Sequence, residues 1–207
     1  QYDNDTFNLL YDKFNFNKNP FELIVSNFSF HYFVQNQQKY NNILKTISNN
    51  LLDNHGLFIV TFLDSQRIIE LFNKEKTNTV DCGFAIIKKI DEFNKKKFGT
   101  KISIKLKTME TEELEYLVDF DTLVEQCNKH KLYLSNSNYI NEDINKQGFF
   151  SDIHFKYPYN LGNDIKYSHL HRYAIFKKNT KIINNLKSIV NTTKKYKSKS
   201  KSSSSSS

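Results

Sequence analysis

Seven consecutive residues, Asn27-Phe28-Ser29-Phe30-His31-Tyr32-Phe33, hold one amide, four aromatic rings and one imidazole. Aromatic faces stack on a purine, and Asn and His side chains hydrogen-bond to base edges. Taken as pattern alone, the segment also has a plain reading, with the Phe rings in a core and His31 capping a loop. The other chemistry-bearing types offer less. His169 and His171 flank Leu170 without a third ligand for zinc. Cys82 and Cys127 lack zinc-site spacing, and Cys127 falls on an apolar helical face, where a thiol is structural. No metal site is expected.

The aromatic segment needs a platform, and the flanking sequence supplies one. Phe21–Phe30 begins as a continuous apolar run, the mark of a buried and parallel strand. Tyr40, Ile43, Leu44, Ile47 and Leu51 then repeat at helical spacing within 36–52. The turn Asp53-Asn54-His55-Gly56 follows, with Gly56 suited to a left-handed cap. Leu57–Leu63 reads as a second buried strand, and Asp64 or Ser65 as the cap of a helix through Phe72, with Ile68, Ile69 and Phe72 inward. Gly83–Ile90 and Lys101–Leu106 read as antiparallel strands, the latter on its period of two. A helix is expected over Thr111–His130, with Leu114, Leu117, Val118, Leu123, Val124 and Cys127 inward. Leu132–Leu134 and Tyr173–Lys177 complete the strands, with a loop-rich stretch over 135–168. Strand, helix, strand, helix implies parallel pairing, and open α/β sheets hold ligands beyond the carboxyl ends of their strands. This order resembles the carboxyl-terminal part of a Rossmann-like class I methyltransferase: an α/β fold, mostly parallel, with antiparallel strands at the end.

Composition bounds the rest. The 207 residues suit one domain with a sizeable core. Two Cys exclude a disulfide scaffold and favour a reducing compartment. No apolar run approaches the ~20 residues of a membrane helix, and no signal peptide opens the chain. The net charge of +8 falls to +3 without the five lysines of 194–201, so the basicity is largely a tail property. Ala and Arg occur twice each while Lys, Asn, Ile, Phe and Tyr abound, the imprint of an AT-rich genome. The Lys/Ser tail, 194–207, reads as disordered. A chain opening on Gln1 rather than Met reads as a piece of a longer protein or a processed product.

The ordered series of motifs resembles the mRNA cap guanine-N7 methyltransferases. Phe21–Phe33 is similar to that family's apolar strand running into Gln-Phe-x-x-His-Tyr-x-Phe. Asp64-Ser65, Phe98-Gly99-Thr100-Lys101-Ile102, Glu115-Tyr116-Leu117-Val118-Asp119-Phe120 and Lys129-His130-Lys131-Leu132 follow the family's order. His171-Arg172-Tyr173-Ala174-Ile175-Phe176 resembles its closing strand, and Asp5-Thr6-Phe7 with Phe14-Asn15-Phe16 is most similar to the poxvirus-type capping enzyme. The resemblance spans 1–180, with a carboxyl extension over 181–193.

The resemblance implies S-adenosyl-L-methionine as cofactor and methylation of the mRNA 5′ cap guanine at N7. It implies that Asn27 and Tyr32 contact the cofactor, and that Phe28, His31, Glu115 and Tyr173 hold the cap guanine. Two positions depart from the pattern: Asn27 is one methylene shorter than Gln, and Leu114 replaces Pro. By pattern alone Glu115, beside Glu112 and Glu113, reads as a solvated residue and Tyr173 as core. No general base is implied, because guanine N7 is an unprotonated lone pair; orientation alone can lower such a barrier by ~7–11 kcal/mol. The implied partners are a capped mRNA 5′ end and the amino-terminal part of the same enzyme or another capping subunit, with no membrane. The setting is cytoplasmic, in a viral factory or virion if viral, and nuclear if cellular. The five scattered Gly residues (56, 83, 99, 148, 162) contain no G-x-G, so the glycine-rich cofactor turn is absent. That absence also suits a catalytically inactive stimulatory subunit, and the aromatic cluster with the Lys tail suits an RNA-binding module.

Overall fold

The computed structural model describes residues 20–93, 97–135, 147–156 and 165–180. The expectations for Asp5 to Phe16, the 181–193 extension and the 194–207 tail lie outside them.

The expected strand–helix–strand start is present. β1 (Leu23–Asn27) leads through a 3-10 turn (Phe30–Phe33) into α1 (Gln37–Asn50). Asn36 caps α1, its side-chain oxygen accepting the Lys39 N–H at 2.9 Å. Tyr40, Leu44, Ile47 and Leu51 are buried on one side, and each full burial of this kind contributes ~1.5–3 kcal/mol. β2 (Leu57–Leu63) pairs with β1 in parallel, Leu23 opposite Leu57 through Asn27 opposite Thr61. α2 (Ser65–Glu75) is capped by Asp64 and runs one turn past the expected end at Phe72.

The turn before β2 divides its work differently from expectation. Asn54 takes the left-handed conformation (φ 64), not Gly56. Gly56 is required for space: a Cβ there would lie 2.8 Å from the Leu52 backbone.

Two sheets follow. The first has the order β1-β2-β9-β7, with β9 (His171–Lys178) antiparallel to both β2 and β7 (Leu132–Leu134). β8 (Gln147–Phe149) also pairs with β9. Parallel pairing between strands is thus confined to β1 and β2 among the described residues, narrower than the mostly parallel sheet expected, because β9 returns antiparallel beside β2. The second sheet is β3 (Thr79–Asp81), β4 (Ala85–Lys89), β5 (Lys101–Leu106) and β6 (Glu113–Tyr116), antiparallel throughout.

β6 corrects the expected helix over Thr111–His130. Residues 113–116 are extended and pair with β5, Ile102 opposite Glu115, and the helix begins only at α3 (Phe120–Lys129). Asp119 supplies the start signal, accepting the Thr122 N–H at 2.8 Å. Leu114, expected inward, is exposed on the outer face of β6. Two short helices, α4 (Phe150–Lys156) and α5 (Ile165–Ser168), flank β8 and β9.

One core joins α1 and α3 to the first sheet through Phe58, Val60, Phe62, Leu123 and Phe176. A second joins α2 to the other sheet through Ile68, Phe72, Ile87, Ile102 and Ile104. β1 is not the buried strand expected. It is the last strand of its sheet among the described residues, and Leu23 and Val25 on one face are about half exposed (50% and 46%).

Candidate functional site

The end of β1 turns sharply. Phe28 takes a left-handed backbone (φ 49), a conformation costing ~1–3 kcal/mol for a side chain of this bulk. Thr61 holds the turn: its side-chain oxygen and its carbonyl both accept the Phe28 N–H at 3.1 Å. The strain is local and lies where the first strand meets a hollow of about 470 Å³. Three walls enclose it. Phe28, His31 and Tyr32 come from the end of β1 and the 3-10 turn. Ile104, Leu106, Glu113 and Glu115 come from one face of the second sheet. Phe150, Tyr167 and His171 close the third side.

The strand geometry of β6 places its carboxylate there. Alternation puts Glu113 and Glu115 on one face and Leu114 and Tyr116 on the other. A helix over the same residues would have left Glu115 among its charged neighbours. Glu115 Oε2 instead lies 3.4 Å from His31 Nδ1, with side-chain exposures of 16% and 9%. Burial, then the nearby Glu113 charge, pushes Glu115 up to about 7. Burial pulls His31 down to about 4. Around neutral pH His31 is therefore uncharged and Glu115 stands near its midpoint, poised to ionise when hydrogen-bond donors arrive. His31 Nε2 is buried and has no hydrogen-bond partner among the described residues.

His171 is the residue sequence reasoning missed. Its Nδ1 lies 3.1 Å from the Tyr167 carbonyl and 3.3 Å from that of Ser168. Carbonyls only accept, so Nδ1 carries the proton and Nε2 is left as an acceptor. Burial lowers His171 to about 4, against the opposing pull of those carbonyls. Its ring meets Phe28 edge to face at 5.0 Å, and Tyr167 likewise at 4.9 Å. The available signal was strand periodicity: His171 lies two residues before Tyr173, on the same face of β9.

The site residues expected from sequence therefore divide. Phe28, His31, Tyr32 and Glu115 line one hollow. Tyr173 does not. It is buried within β9, opposite Thr61 and Gly148, and a Cβ on Gly148 would lie 3.0 Å from its hydroxyl oxygen. Asn27 is also outside the lining, exposed at the end of β1 with its side-chain oxygen 3.4 Å from Thr61 Oγ1.

A smaller cavity of about 360 Å³ lies at the far end of the first sheet, lined by Lys129, His130, Lys131 and Lys178 with Asp53. Lys178 is already engaged there, donating to the Leu51 carbonyl at 2.8 Å and pairing with Asp53 at 2.7 Å. Among the described residues no His, Cys, Asp and Glu group is arranged to hold a metal ion, and no helix is long and apolar enough to cross a membrane.

Three solved structures share similarity at low identity. A S-adenosylmethionine-dependent methyltransferase from Clostridium acetobutylicum ATCC 824 is 12% identical over 86% of this chain and 72% of its own, with a TM-score of 0.44. The CcbJ methyltransferase from Streptomyces caelestis is 11% identical over 78% and 62%, with a TM-score of 0.43. The PH0226 protein from Pyrococcus horikoshii OT3 is 12% identical over 77% and 55%, with a TM-score of 0.35. The chain thus spans less than two thirds of the latter two. No curated protein matches. The sequence model of one family matches residues 3–156, a span that takes in the strained turn at Phe28, the His31–Glu115 contact and both sheets up to β8. With three quarters of its length matched, the chain belongs to the mRNA (guanine-N(7))-methyltransferase domain family, whose methyl donor is S-adenosylmethionine.

Proposed function

We propose that this chain grips the cap guanine in S-adenosylmethionine-dependent methylation of an mRNA 5′ end at N7. The observation that carries the reading is the convergence of Phe28, His31, Tyr32 and Glu115 on one aromatic-walled hollow. Phe28 supplies a face for the base. Glu115, once ionised, accepts from the N1–H and the 2-amino group, a donor pair that adenine lacks. The same carboxylate favours the positive charge that the base acquires. His171 takes the place first assigned to Tyr173, offering an acceptor on the opposite wall.

Asn27 and Tyr32 fit one edge of a donor site. Asn27 at the carboxyl end of β1 and Tyr32 in the 3-10 turn lining the hollow are both exposed and accessible to a ligand. They do not make a whole site. The four described glycines serve other contacts: Gly56 packs on Leu52, Gly99 on the Gln35 carbonyl and Gly148 on Tyr173, and Gly83 turns between β3 and β4 with its N–H donating to Asp81. The donor, when bound, supplies an activated methyl group. The chain's own part is to hold guanine in the plane set by Phe28, keep water from its edge and present N7 outward.

The remaining donor-side contacts come from the amino-terminal part of the same enzyme or from another capping subunit. What supports this is the exposed apolar face of β1. Calorimetry with GTP and ATP tests the reading. GTP is expected to bind at least about 10-fold more tightly than ATP, since each hydrogen bond to a charged group is worth ~1.5–3 kcal/mol. Equal affinities would overturn it.

A further inference from the structure

The sequence has two arginines among its 30 cationic side chains, and both stack on the same ring. The Arg67 guanidinium lies 3.9 Å from the centre of the Phe149 ring, and that of Arg172 lies 4.2 Å from it. Arg172 also lies 4.2 Å from the Phe120 ring, so its plane is held between two aromatic faces. Its Nε is 3.0 Å from Asp64 Oδ2, in a pair whose side chains are 10% and 1% exposed. That Nε makes no aligned hydrogen bond, so the attraction is ionic.

One guanidinium thereby ties four elements. Asp64 caps α2, Phe120 opens α3, Phe149 ends β8, and Arg172 belongs to β9. Their chain neighbours Leu63, Phe150 and His171 line the hollow. A buried ion pair adds little net stability, because desolvation offsets the attraction. Lysine would supply the charge without a plane for two rings to clasp. What this arrangement supplies is position, and β8 needs it: three residues of ladder are too short to hold a corner alone.

We infer that Arg172 is a positioning residue for the hollow, fixing the β8–α4 corner so that Phe150 stands against Phe28 and His171. Phe150 meets Phe28 edge to face at 5.9 Å and lies tilted against the His171 ring at 5.8 Å. The inference rests on the hollow being the guanine site only for its binding readout, since the corner itself can be followed without ligand.

A double-mutant cycle in the full chain, with GTP as probe, tests it. Arg172→Lys and Phe150→Ala are each expected to weaken GTP about 5- to 10-fold. The double variant is expected to be no weaker than the worse single by more than about 2-fold, because both changes remove the same wall. A loss equal to the product of the two singles would overturn the inference. Amide exchange is expected to quicken about 10-fold over 147–152 in Arg172→Lys while β2 is unchanged. Unchanged exchange at that corner would also overturn it. Should Arg172→Lys fail to fold, Phe149→Leu takes the shared ring from both arginines and keeps the Phe120 contact and the Asp64 pair, with the same expected outcomes. If the unaltered chain binds no GTP, the guanine reading fails, and exchange at 147–152 still decides the role of Arg172.

Discussion

His31 and Glu115 are enclosed on three sides and tuned by burial to near neutrality, whereas Leu23 and Val25, a few residues earlier, stand half in solvent. The two regions share β1 and differ in how much of their surroundings this chain provides. The hollow has its walls, its acceptor and, behind it, a pinned corner. The β1 face has apolar side chains and nothing among the described residues over them. In the account proposed here, base recognition is built into the chain, and the donor side is completed by something else.

The contrast breaks most readily at Glu115. Glu115→Ala is expected to weaken GTP by about 10- to 100-fold in calorimetry, the range for losing hydrogen bonds to a charged acceptor. Folding stability should not fall, because the change removes a group that burial disfavours when charged. A loss below about 3-fold would mean that the hollow's acceptor is not the one reading the base.

Phe28→Ala comes next. Stacking on an aromatic face is worth ~1–3 kcal/mol per base, and with Tyr32 and Phe150 still lining the hollow the low end is expected, about a 5- to 20-fold loss of GTP affinity. Because Phe28 is half exposed and its backbone is strained, the melting temperature should move little. A large drop in stability with unchanged affinity would make Phe28 a core residue instead.

Proton linkage sharpens the comparison. Glu115, raised to about 7, keeps its proton in the folded chain where the unfolded chain has released it. Its contribution therefore lowers stability as pH rises from about 4.5 to 7. His31 and His171, lowered to about 4, are neutral when folded and protonated when unfolded below about 6.5, so each raises stability as pH rises from about 4 to 6.5. Two rising contributions oppose one falling one. Glu115→Gln is expected to steepen the rise between pH 5 and 6.5 by about one proton, or ~1.4 kcal/mol per pH unit, in denaturant titrations. An unchanged slope would mean that Glu115 titrates normally.

The smallest effect belongs to the open region. Val25→Lys should change stability by less than about 0.5 kcal/mol by denaturant midpoint. A loss above about 2 kcal/mol would show that this chain already covers β1.

These differences also mark what the sequence made legible. α1 could be read because Tyr40, Leu44, Ile47 and Leu51 fall on one stripe and Asn36 caps it. β6 could not, because Leu114, Leu117 and Val118 imitate helical spacing and the six residues that join it to β5 contain no Gly, Pro, Asn or Asp to signal a hairpin turn. That misreading also made Glu115 look solvated, and the family resemblance alone pointed inward. The resemblance implies Tyr173 as a cap contact, whereas the value of His171 depends on which carbonyls fix its tautomer, and no sequence pattern shows that. The Arg67–Phe149–Arg172 stack joins residues more than 80 apart, beyond the reach of any local pattern.

Backbone and aromatic NMR of the chain titrated with GTP tests the central claim most directly. Shift changes centred on Phe28, His31, Glu115 and His171, with contacts from the guanine ring to Phe28, are expected. Changes centred instead on Lys129, Lys131 and Lys178, with the hollow untouched, would contradict the account.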